Sequence, residues 1–202
     1  MVFFSDAVFA IALTVLALDL KLPVGIPPEH LNAELVEAVP ELFAFLLSFV
    51  IIARVWMSHH ADFYFIKDFN PKLAWMNMLL LFFIAILPAP TAVLSDYGGY
   101  SSPWPSVLYA ATISGVYLTL SGMWTYAWHK GLMDPSVDVH HHWRVFLARM
   151  AAPVVFLLSI PAAFIFGSYT PYLWLLILPA SLLSLWLSRR LESKQATSPA
   201  AG

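Results

Sequence analysis

Long apolar stretches separated by short polar segments make up most of the 202-residue chain. The stretches 73–95, 97–129 and 150–188 contain no Asp, Glu, Lys or Arg. As a single helix at 1.5 Å per residue, the stretch 150–188 would reach about 58 Å, roughly twice the thickness of the hydrocarbon core of a bilayer. It must therefore fold back, and the Gly-Ser-Tyr-Thr-Pro sequence at 167–171 is rich in turn-forming residues.

Six membrane-spanning helices account for this pattern, because each span needs about 20 residues and the polar connections are short. The predicted fold is an all-α membrane protein with spans at 3–22, 42–60, 73–94, 106–128, 146–166 and 172–188. The spans belong to one domain, 1–192. The tail 193–202 is polar, lacks apolar periodicity and is predicted to be disordered.

Composition excludes several functional classes. Hydrophobic residues make up 60% of the chain and charged residues 11%, whereas soluble domains have about 45–50% and about 25%. The net charge of -2 gives no reason to expect a nucleic-acid partner. The absence of cysteine excludes disulfides, thiol catalysis and cysteine-ligated metals. No nucleotide-binding, metalloprotease or serine-hydrolase motif occurs, so neither an enzyme nor a cofactor is expected.

The basic residues predict the orientation in the membrane. With the N-terminus inside, most of them lie in or beside cytoplasmic loops or the tail, whereas Lys21 lies outside and Arg54 lies within a span. The residues on the cytoplasmic side are Lys67, Lys72, Lys130, Arg144, Arg149, Arg189, Arg190 and Lys194. Both termini are therefore predicted to be cytoplasmic.

Ionisable side chains inside spans are expensive in a bilayer, so each marks a candidate functional position. Asp6 follows Ser5 at the start of the first span. Two interpretations stay open. The pair caps the helix by accepting from free backbone N–H groups, or Asp6 is a buried anchor or proton site. The adjacent histidines at 59–60 point about 100° apart on a helix and chelate poorly. The histidine triplet at 140–142 lies in a charged cytoplasmic loop near Asp134 and Asp138, and no metal site is expected at either place.

One face of the first helix carries an apolar stripe. At 100° per residue, Ile11, Val15 and Leu18 lie within about 60° of one another, with Thr14 at the edge. Asp6 lies about 140° from Ile11, on the other side of the helix. If the stripe lines a pathway, Asp6 points back into its own subunit. The plain alternative is that the stripe packs against lipid or against the core.

The first span opens with the triplet Phe4-Ser5-Asp6 and continues as an apolar helix to Asp19. In this setting the triplet resembles the signature of the transmembrane protein 175 family of potassium channels. That signature normally has an arginine four residues before the phenylalanine, and Met1 stands only three residues before Phe4. A truncated or misassigned start and true divergence are both open explanations.

Later features follow the order of the same family. Trp56-x-x-His59 closes the second span, and Asn77 lies in the third. Residues 87–91 read Leu-Pro-Ala-Pro-Thr and resemble the family's LPxPT segment. The resemblance therefore covers essentially the whole chain.

The resemblance implies a homotetramer of six-helix subunits in which the first helices of four copies line the pore, without a re-entrant selectivity loop. It places Ile11 at the main hydrophobic constriction, with Val15 and Leu18 in the next apolar layers. Thr14 matches an adjacent polar pore position. A supporting network that holds the pore helix is also implied: Ser5, Asp6, Trp56, His59 and Asn77.

The function implied is that of a potassium-permeable cation channel in a prokaryotic cell membrane, with potassium and other monovalent cations as its partners besides the lipid bilayer. A ring of four Ile11 side chains offers no oxygen ligands, so we expect passive conduction with modest selectivity for potassium over sodium. Asp19, near the external mouth, is expected to raise the local cation concentration. A secondary transporter and a proton-conducting membrane protein are the alternatives.

Overall fold

The computed structural model describes residues 2–20, 25, 27–97, 102–177 and 179–180. In these ranges the regular structure is helical, apart from one antiparallel bridge between Ile66 and Met133. The helices are α1 (Val2–Leu18), α2 (Leu31–Glu37), α3 (Val39–Phe65), α4 (Pro71–Ile86), α5 (Pro88–Tyr97), α6 (Trp104–His129), α7 (Val139–Phe166) and α8 (Thr170–Leu173). Two short 3₁₀ turns, Gly167–Tyr169 and Trp174–Leu176, flank α8.

Local sequence explains where the long helices begin and end. The side chain of Asn70 accepts a hydrogen bond from the Leu73 N–H at 2.9 Å and caps α4. Asp138 caps α7 in the same way through the His141 N–H, at 2.7 Å. Pro88 lacks the N–H that would continue the hydrogen bonds of α4, which separates α4 from α5.

Four segments of the described chain are long and apolar enough to cross a membrane: Val39–Phe65, Pro71–Tyr97, Trp104–His129 and Val139–Leu176. The shorter helix α1 is apolar as well. The prediction of an all-helical chain with several membrane-capable helices is confirmed, whereas the number and bounds of the spans stay predictions. Most of the predicted span 172–188 and the whole tail 193–202 lie outside the described residues.

The chain reverses direction after α7. The indole Nε1 of Trp174 donates a hydrogen bond to the Ser159 hydroxyl at 3.0 Å, although 15 residues of straight helix would separate the two by about 22 Å. Gly167, with a φ of +52°, follows the last residue of α7 in a conformation that favours glycine. The reversal therefore coincides with the Gly-Ser-Tyr-Thr-Pro sequence.

α6 is the central helix of the described bundle and packs against α3, α4, α5 and α7. Its fully buried side chains include Tyr109, Ile113, Val116, Leu120 and Trp124. Gly115 lets α4 approach closely, because a Cβ built there would lie 2.6 Å from the ring of Phe83. In contrast, α1 packs one face against α3, α4 and α5 while its other face is exposed.

Candidate functional site

α1 has a buried face and an exposed face. Four of its residues recur at helical spacing and are buried against other helices: Ser5, Phe9, Ala12 and Leu16. The predicted pore residues are exposed on the opposite side: Ile11 by 61%, Val15 by 39% and Leu18 by 83%. Thr14 is exposed beside them, and its hydroxyl donates to the Ile11 carbonyl at 2.8 Å. The stripe is therefore accessible to another molecule or to solvent.

Ser5 on α1 is linked to both α4 and α3 through a buried chain of hydrogen bonds. The Asn77 Nδ2 donates to the Ser5 Oγ at 3.1 Å, and the Asn77 Oδ1 lies 2.8 Å from the Nε2 of His59. Because a carbonyl oxygen only accepts, Nε2 is the donor in the second bond. All three side chains are fully buried, and the His59 ring lies between Phe9 and Phe63 at centroid distances of 5.6 and 4.6 Å.

Asp6 contacts α3 rather than the exposed stripe. Its Oδ1 accepts a hydrogen bond from the Trp56 Nε1 at 2.8 Å, and the carboxylate is half-buried. Ser5 and Asp6 thus make bonds to two other helices, which favours the anchor interpretation over a helix cap. The five residues assigned to the supporting network are brought together in two adjacent groups, Ser5–Asn77–His59 and Asp6–Trp56.

Phe4 and Asp19 lie at opposite ends of α1 and outside those two groups. Phe4 is exposed and lies two turns before Ile11, on the same side of the helix. Asp19 follows the last residue of α1 and is exposed. It lines a cleft together with Glu41 and Asp96.

A buried ion pair joins α3 to α7 one turn beyond His59. The Arg149 Nη1 donates to the Asp62 Oδ2 at 2.7 Å, and Nη2 donates to Oδ1, so the pair is bidentate. The Arg149 guanidinium also lies over the Trp124 ring, 5.4 Å from its centroid. From sequence, Arg149 is only a basic residue beside a loop. The signal that indicates its role is Asp62, which lies three residues after His59 and shares its face of α3.

A second buried polar cluster, also missed from sequence, joins α3, α5 and α6. The Ser48 hydroxyl lies 2.8 Å from the Thr91 hydroxyl and 2.9 Å from the Tyr109 hydroxyl. Each of the three groups is buried, so the cluster satisfies hydroxyls that would otherwise be costly in an apolar bundle. Thr91 is the last residue of the Leu-Pro-Ala-Pro-Thr segment, and Pro90 next to it is buried as well.

His141 and His142 of the histidine triplet belong to an aromatic cluster at the start of α7. His142 stacks on Trp128 at a centroid distance of 4.2 Å and is nearly fully buried. No group of three or more His, Cys, Asp or Glu side chains in the described ranges is arranged to hold a metal ion.

In the loop before α7, Ser136 lowers the pKa of Asp134 below its usual value by hydrogen bonding to the carboxylate, chiefly through its side chain and also through its backbone.

Comparisons with known proteins identify the family of the chain. Residues 1–88 match the family model described as endosomal/lysosomal potassium channel TMEM175. A potassium channel of Streptomyces collinus is 34% identical over 138 residues, which are 67% of this chain and 67% of that protein. The chain belongs to the TMEM175 family.

Structural similarity to TMEM175 proteins extends over nearly the whole chain. A crystal structure described as a lysosomal potassium-selective channel TMEM175 homolog from Chamaesiphon minutus has a TM-score of 0.75 and 26% identity. The similarity covers 91% of this chain and 95% of that chain. A longer relative from Gallus gallus, named endosomal/lysosomal proton channel TMEM175, is 29% identical over 149 residues, which cover 68% of this chain and 28% of that protein.

The residues matched by the TMEM175 family model include the hydrogen-bonded groups around α1. Residues 1–88 contain α1, α3 and α4, and with them Ser5, Asp6, Trp56, His59 and Asn77. The family and the structural neighbour are ion channels rather than enzymes. The residues around α1 are therefore the candidate functional site.

Proposed function

We propose that this protein is a potassium-permeable cation channel, assembled as a homotetramer in which α1 of each copy lines the pore. The observation that carries the proposal is the contrast between the two faces of α1, because an exposed apolar stripe lies opposite a face fastened by hydrogen bonds. The Streptomyces relative is named a potassium channel, and the Chamaesiphon homolog is described as potassium-selective. Both descriptions support potassium as the conducted ion.

Ile11, Val15 and Leu18 form successive apolar rings when four α1 helices surround one axis. Each ring lies one turn from the next, about 5 Å along the helix. A ring without oxygen ligands blocks ions by excluding water and conducts when it widens and becomes wet. Potassium gives up its hydration shell more readily than sodium, so a narrow apolar ring favours potassium modestly.

The bonds of Ser5 and Asp6 set the rotation of α1 about its own axis. The two residues are adjacent and point about 100° apart. Ser5 is bound from α4 and Asp6 is bound from α3. A rotation that replaces Ile11 by a neighbouring residue at the axis breaks both bonds. The network therefore consists of positioning residues that keep the stripe directed at the pore.

The charged residues support the orientation in the membrane. The start of α1 and the end of α3 lie at the same end of the bundle, because Ser5 is linked through Asn77 to His59 near the end of α3. Lys67 follows the end of α3 and lies 3.6 Å from Asp134. By the positive-inside rule this end of the bundle is cytoplasmic, so the N-terminus lies on the cytoplasmic side of the membrane.

Asp19 then lies at the outer mouth of the pore. Asp19, Glu41 and Asp96 line one cleft there. Negative charge in a cleft attracts counter-ions, so the local concentration of cations at the entrance rises. Asp19 is an entrance residue in this arrangement and does not coordinate the ion in the constriction.

Flux through liposomes tests the proposal. The purified protein is reconstituted with a potassium gradient, and passive potassium and sodium fluxes are measured for the unmodified chain and for Ile11→Asn. The substitution is expected to raise both fluxes and to bring the potassium-to-sodium ratio closer to one, because an amide in the constriction holds water. Leu158→Asn, at an exposed position of α7, is the matched control and is expected to leave the ratio unchanged. Equal fluxes for Ile11→Asn and the unmodified chain would contradict a constriction at this residue.

Proton conduction is the second candidate, because the Gallus gallus relative is named a proton channel. The same liposomes loaded with a pH-sensitive dye measure proton flux at equal potassium concentrations inside and outside. Proton flux that exceeds potassium flux at equal driving force would assign the pore to protons. Uptake that saturates and needs a co-substrate would instead assign the protein to secondary transporters.

A further inference from the structure

The start of α4 and the end of α6 meet at the end of the bundle that the proposed orientation assigns to the cytoplasm. The Asn70 Nδ2 donates a hydrogen bond to the Tyr126 hydroxyl at 3.0 Å. The Lys72 ammonium lies over the ring of the same tyrosine, 5.0 Å from its centroid. Tyr126 is therefore contacted from α4 at both its hydroxyl and its ring, and Lys72 is positioned beside it.

A second lysine lies close to this contact. Lys130 directly follows α6 and comes four residues after Tyr126, so the two residues share one side of the helix. The backbone N–H of Lys130 donates to the Tyr126 carbonyl at 3.0 Å, which shows that the last helical turn extends to this lysine. Both Lys72 and Lys130 are exposed. Two ammonium groups therefore lie on the surface around Tyr126.

The charges of these two lysines are not neutralised within the part of the chain that the structure describes. Lys67, in the loop before α4, lies 3.6 Å from Asp134. In contrast, neither Lys72 nor Lys130 forms an ion pair with any described residue. Asp68 is exposed in the same loop, and in the described structure it pairs with neither of them. Two positive charges without a partner on one surface favour an anionic ligand.

An exposed apolar line leads from Lys72 towards the middle of the membrane. Trp75, Leu79 and Phe82 follow Lys72 at steps of three, four and three residues, so the four positions lie within about 80° of one another on α4. The three apolar side chains are exposed by 76%, 48% and 55%, respectively. Ten residues of helix separate Lys72 from Phe82, which corresponds to about 15 Å. That length is half of the hydrocarbon core of about 30 Å, and therefore the thickness of one leaflet.

Trp75 is typical of the level at which a bilayer meets water. Indole side chains are enriched at that level because they have an apolar ring and one polar N–H group. Trp75 lies three residues, about 4.5 Å, deeper than Lys72. A lysine at this depth keeps its ammonium group among the headgroups while its apolar stem lies on the protein. The surface is therefore positive at the level of the headgroups and apolar below it, which matches the order of groups in an anionic phospholipid.

We propose that Lys72 and Lys130 bind the phosphate of an anionic phospholipid in the cytoplasmic leaflet, with an acyl chain of this lipid along Trp75, Leu79 and Phe82. The two lysines select an anionic headgroup, because the cationic group of a zwitterionic lipid is repelled by them. The apolar line requires a ligand that carries a hydrocarbon chain. The assignment to the cytoplasmic leaflet rests on the proposed orientation, whereas the site itself does not involve the α1 stripe.

Native mass spectrometry of the purified full-length chain tests the site with phosphatidylglycerol and phosphatidylcholine of identical acyl chains. Phosphatidylglycerol is expected to bind about tenfold more tightly. Lys72→Gln is expected to weaken its binding about fivefold, and adding Lys130→Gln about fivefold more. Lys67→Gln is the matched control and is expected to change neither affinity, because Asp134 already neutralises that lysine. Equal affinities of the unmodified chain for the two lipids, or equal losses for Lys67→Gln and Lys72→Gln, would overturn the proposal.

Inorganic phosphate distinguishes a lipid site from a site for a soluble anion. Thermal unfolding is measured in detergent with phosphatidylglycerol, with inorganic phosphate and with chloride, all at the same ionic strength. Phosphatidylglycerol is expected to raise the unfolding temperature, since a ligand of the folded state stabilises it. Lys72→Arg keeps the charge and should retain the rise, whereas Lys72→Gln/Lys130→Gln should lose it. A rise of the same size with inorganic phosphate would overturn the assignment to a lipid.

Substitution of Trp75 tests the apolar part of the site. Trp75→Gln is expected to weaken the binding of both lipids by a similar factor, because the contact with the acyl chain does not depend on the headgroup. Leu158→Gln, at an exposed position of α7, is the control and should leave both affinities unchanged. Unchanged lipid binding by Trp75→Gln would contradict the apolar line. These measurements do not depend on potassium flux, so a failure here would overturn the lipid site and leave the channel assignment to its own test.

Discussion

The two sides of the bundle are held together in different ways. α1 is joined to α3 and α4 by a few directional hydrogen bonds between small polar groups, while its opposite face is exposed. α6 and α7 are joined by stacked aromatic rings, and the Asp62–Arg149 ion pair ties α7 to α3 beside them. Directional bonds fix how a helix is rotated, whereas aromatic packing mainly holds helices close together. We therefore expect changes around α6 and α7 to alter stability, and changes around α1 to alter conduction.

Breaking the buried ion pair is expected to have the largest effect on stability. Arg149→Met leaves the Asp62 carboxylate buried without its partner and is expected to lower the free energy of unfolding by about 3–5 kcal/mol. The double variant Asp62→Leu/Arg149→Met removes both charges and is expected to recover most of that loss. Thermal unfolding in detergent measures both effects, and potassium flux per folded tetramer should stay near that of the unmodified protein. A double variant as unstable as the single one would contradict this reasoning.

Adding a methyl group between α4 and α6 is expected to have the next largest effect on stability. Gly115→Ala places a methyl group 2.6 Å from the Phe83 ring, which must move. The free energy of unfolding is expected to fall by about 3 kcal/mol, which is at the upper end of the cost of overpacking a core. Gly122→Ala is the matched control on the same helix, because its methyl group meets the flexible end of Met76 at 3.4 Å. Equal unfolding temperatures for the two variants would show that α4 is not constrained at Gly115.

Removing the central member of the α1 network is expected to change conduction more than stability. Asn77→Ala leaves the buried Ser5 and His59 side chains without their hydrogen-bond partner. This is expected to lower the free energy of unfolding by about 2 kcal/mol. Because α1 loses its link to α4, the potassium-to-sodium flux ratio is expected to fall as well. Thr112→Val is the control, since that hydroxyl bonds only within its own helix to the Leu108 carbonyl. A reduced stability with an unchanged flux ratio would mean that Asn77 supports the fold and does not position the pore helix.

The smallest effect is expected at the half-buried bond between α1 and α3. Trp56→Phe removes the donor to Asp6 but keeps an aromatic ring, and water can replace the lost bond at a half-buried carboxylate. We expect the free energy of unfolding to fall by about 1 kcal/mol or less. The potassium-to-sodium flux ratio is expected to change less than it does in Asn77→Ala. A larger shift would mean that the contact with α3, rather than that with α4, sets the rotation of α1.

Some of this arrangement can be predicted from the sequence because it depends on local periodicity. The positions of Ile11, Val15 and Leu18 on one side of α1, and of Asp6 away from them, follow from a repeat of 3.6 residues. The uncharged runs likewise indicate the long apolar helices, and the Phe4-Ser5-Asp6 triplet with the later motifs indicates the family. The number and bounds of the spans stay predictions, as does the role assigned to each pore residue.

Other contacts could not be predicted because they join residues distant in sequence. Arg149 pairs with Asp62 across 87 positions, and Tyr109 meets Ser48 across 61 positions. No periodicity within one helix indicates which basic or hydroxyl group lies on the other side. Arg149 has the same sequence context as the exposed basic residues near it. Only its proximity to Asp62 in the folded structure distinguishes it. The pairing of Ser5 with Asn77 can be predicted only from the family resemblance.

The exposed face of α1 is proposed to line a cation pore, and the accessibility of single cysteines during flux tests this role most directly. Single cysteines are placed along α1 of the cysteine-free chain, and a small thiol-reactive cation is added to liposomes that conduct potassium. Block is expected at Ile11→Cys, Val15→Cys and Leu18→Cys, whereas Phe9→Cys, Ala12→Cys and Leu16→Cys should stay unmodified on the buried face. Potassium flux that continues unchanged after modification of all three stripe positions would contradict the account.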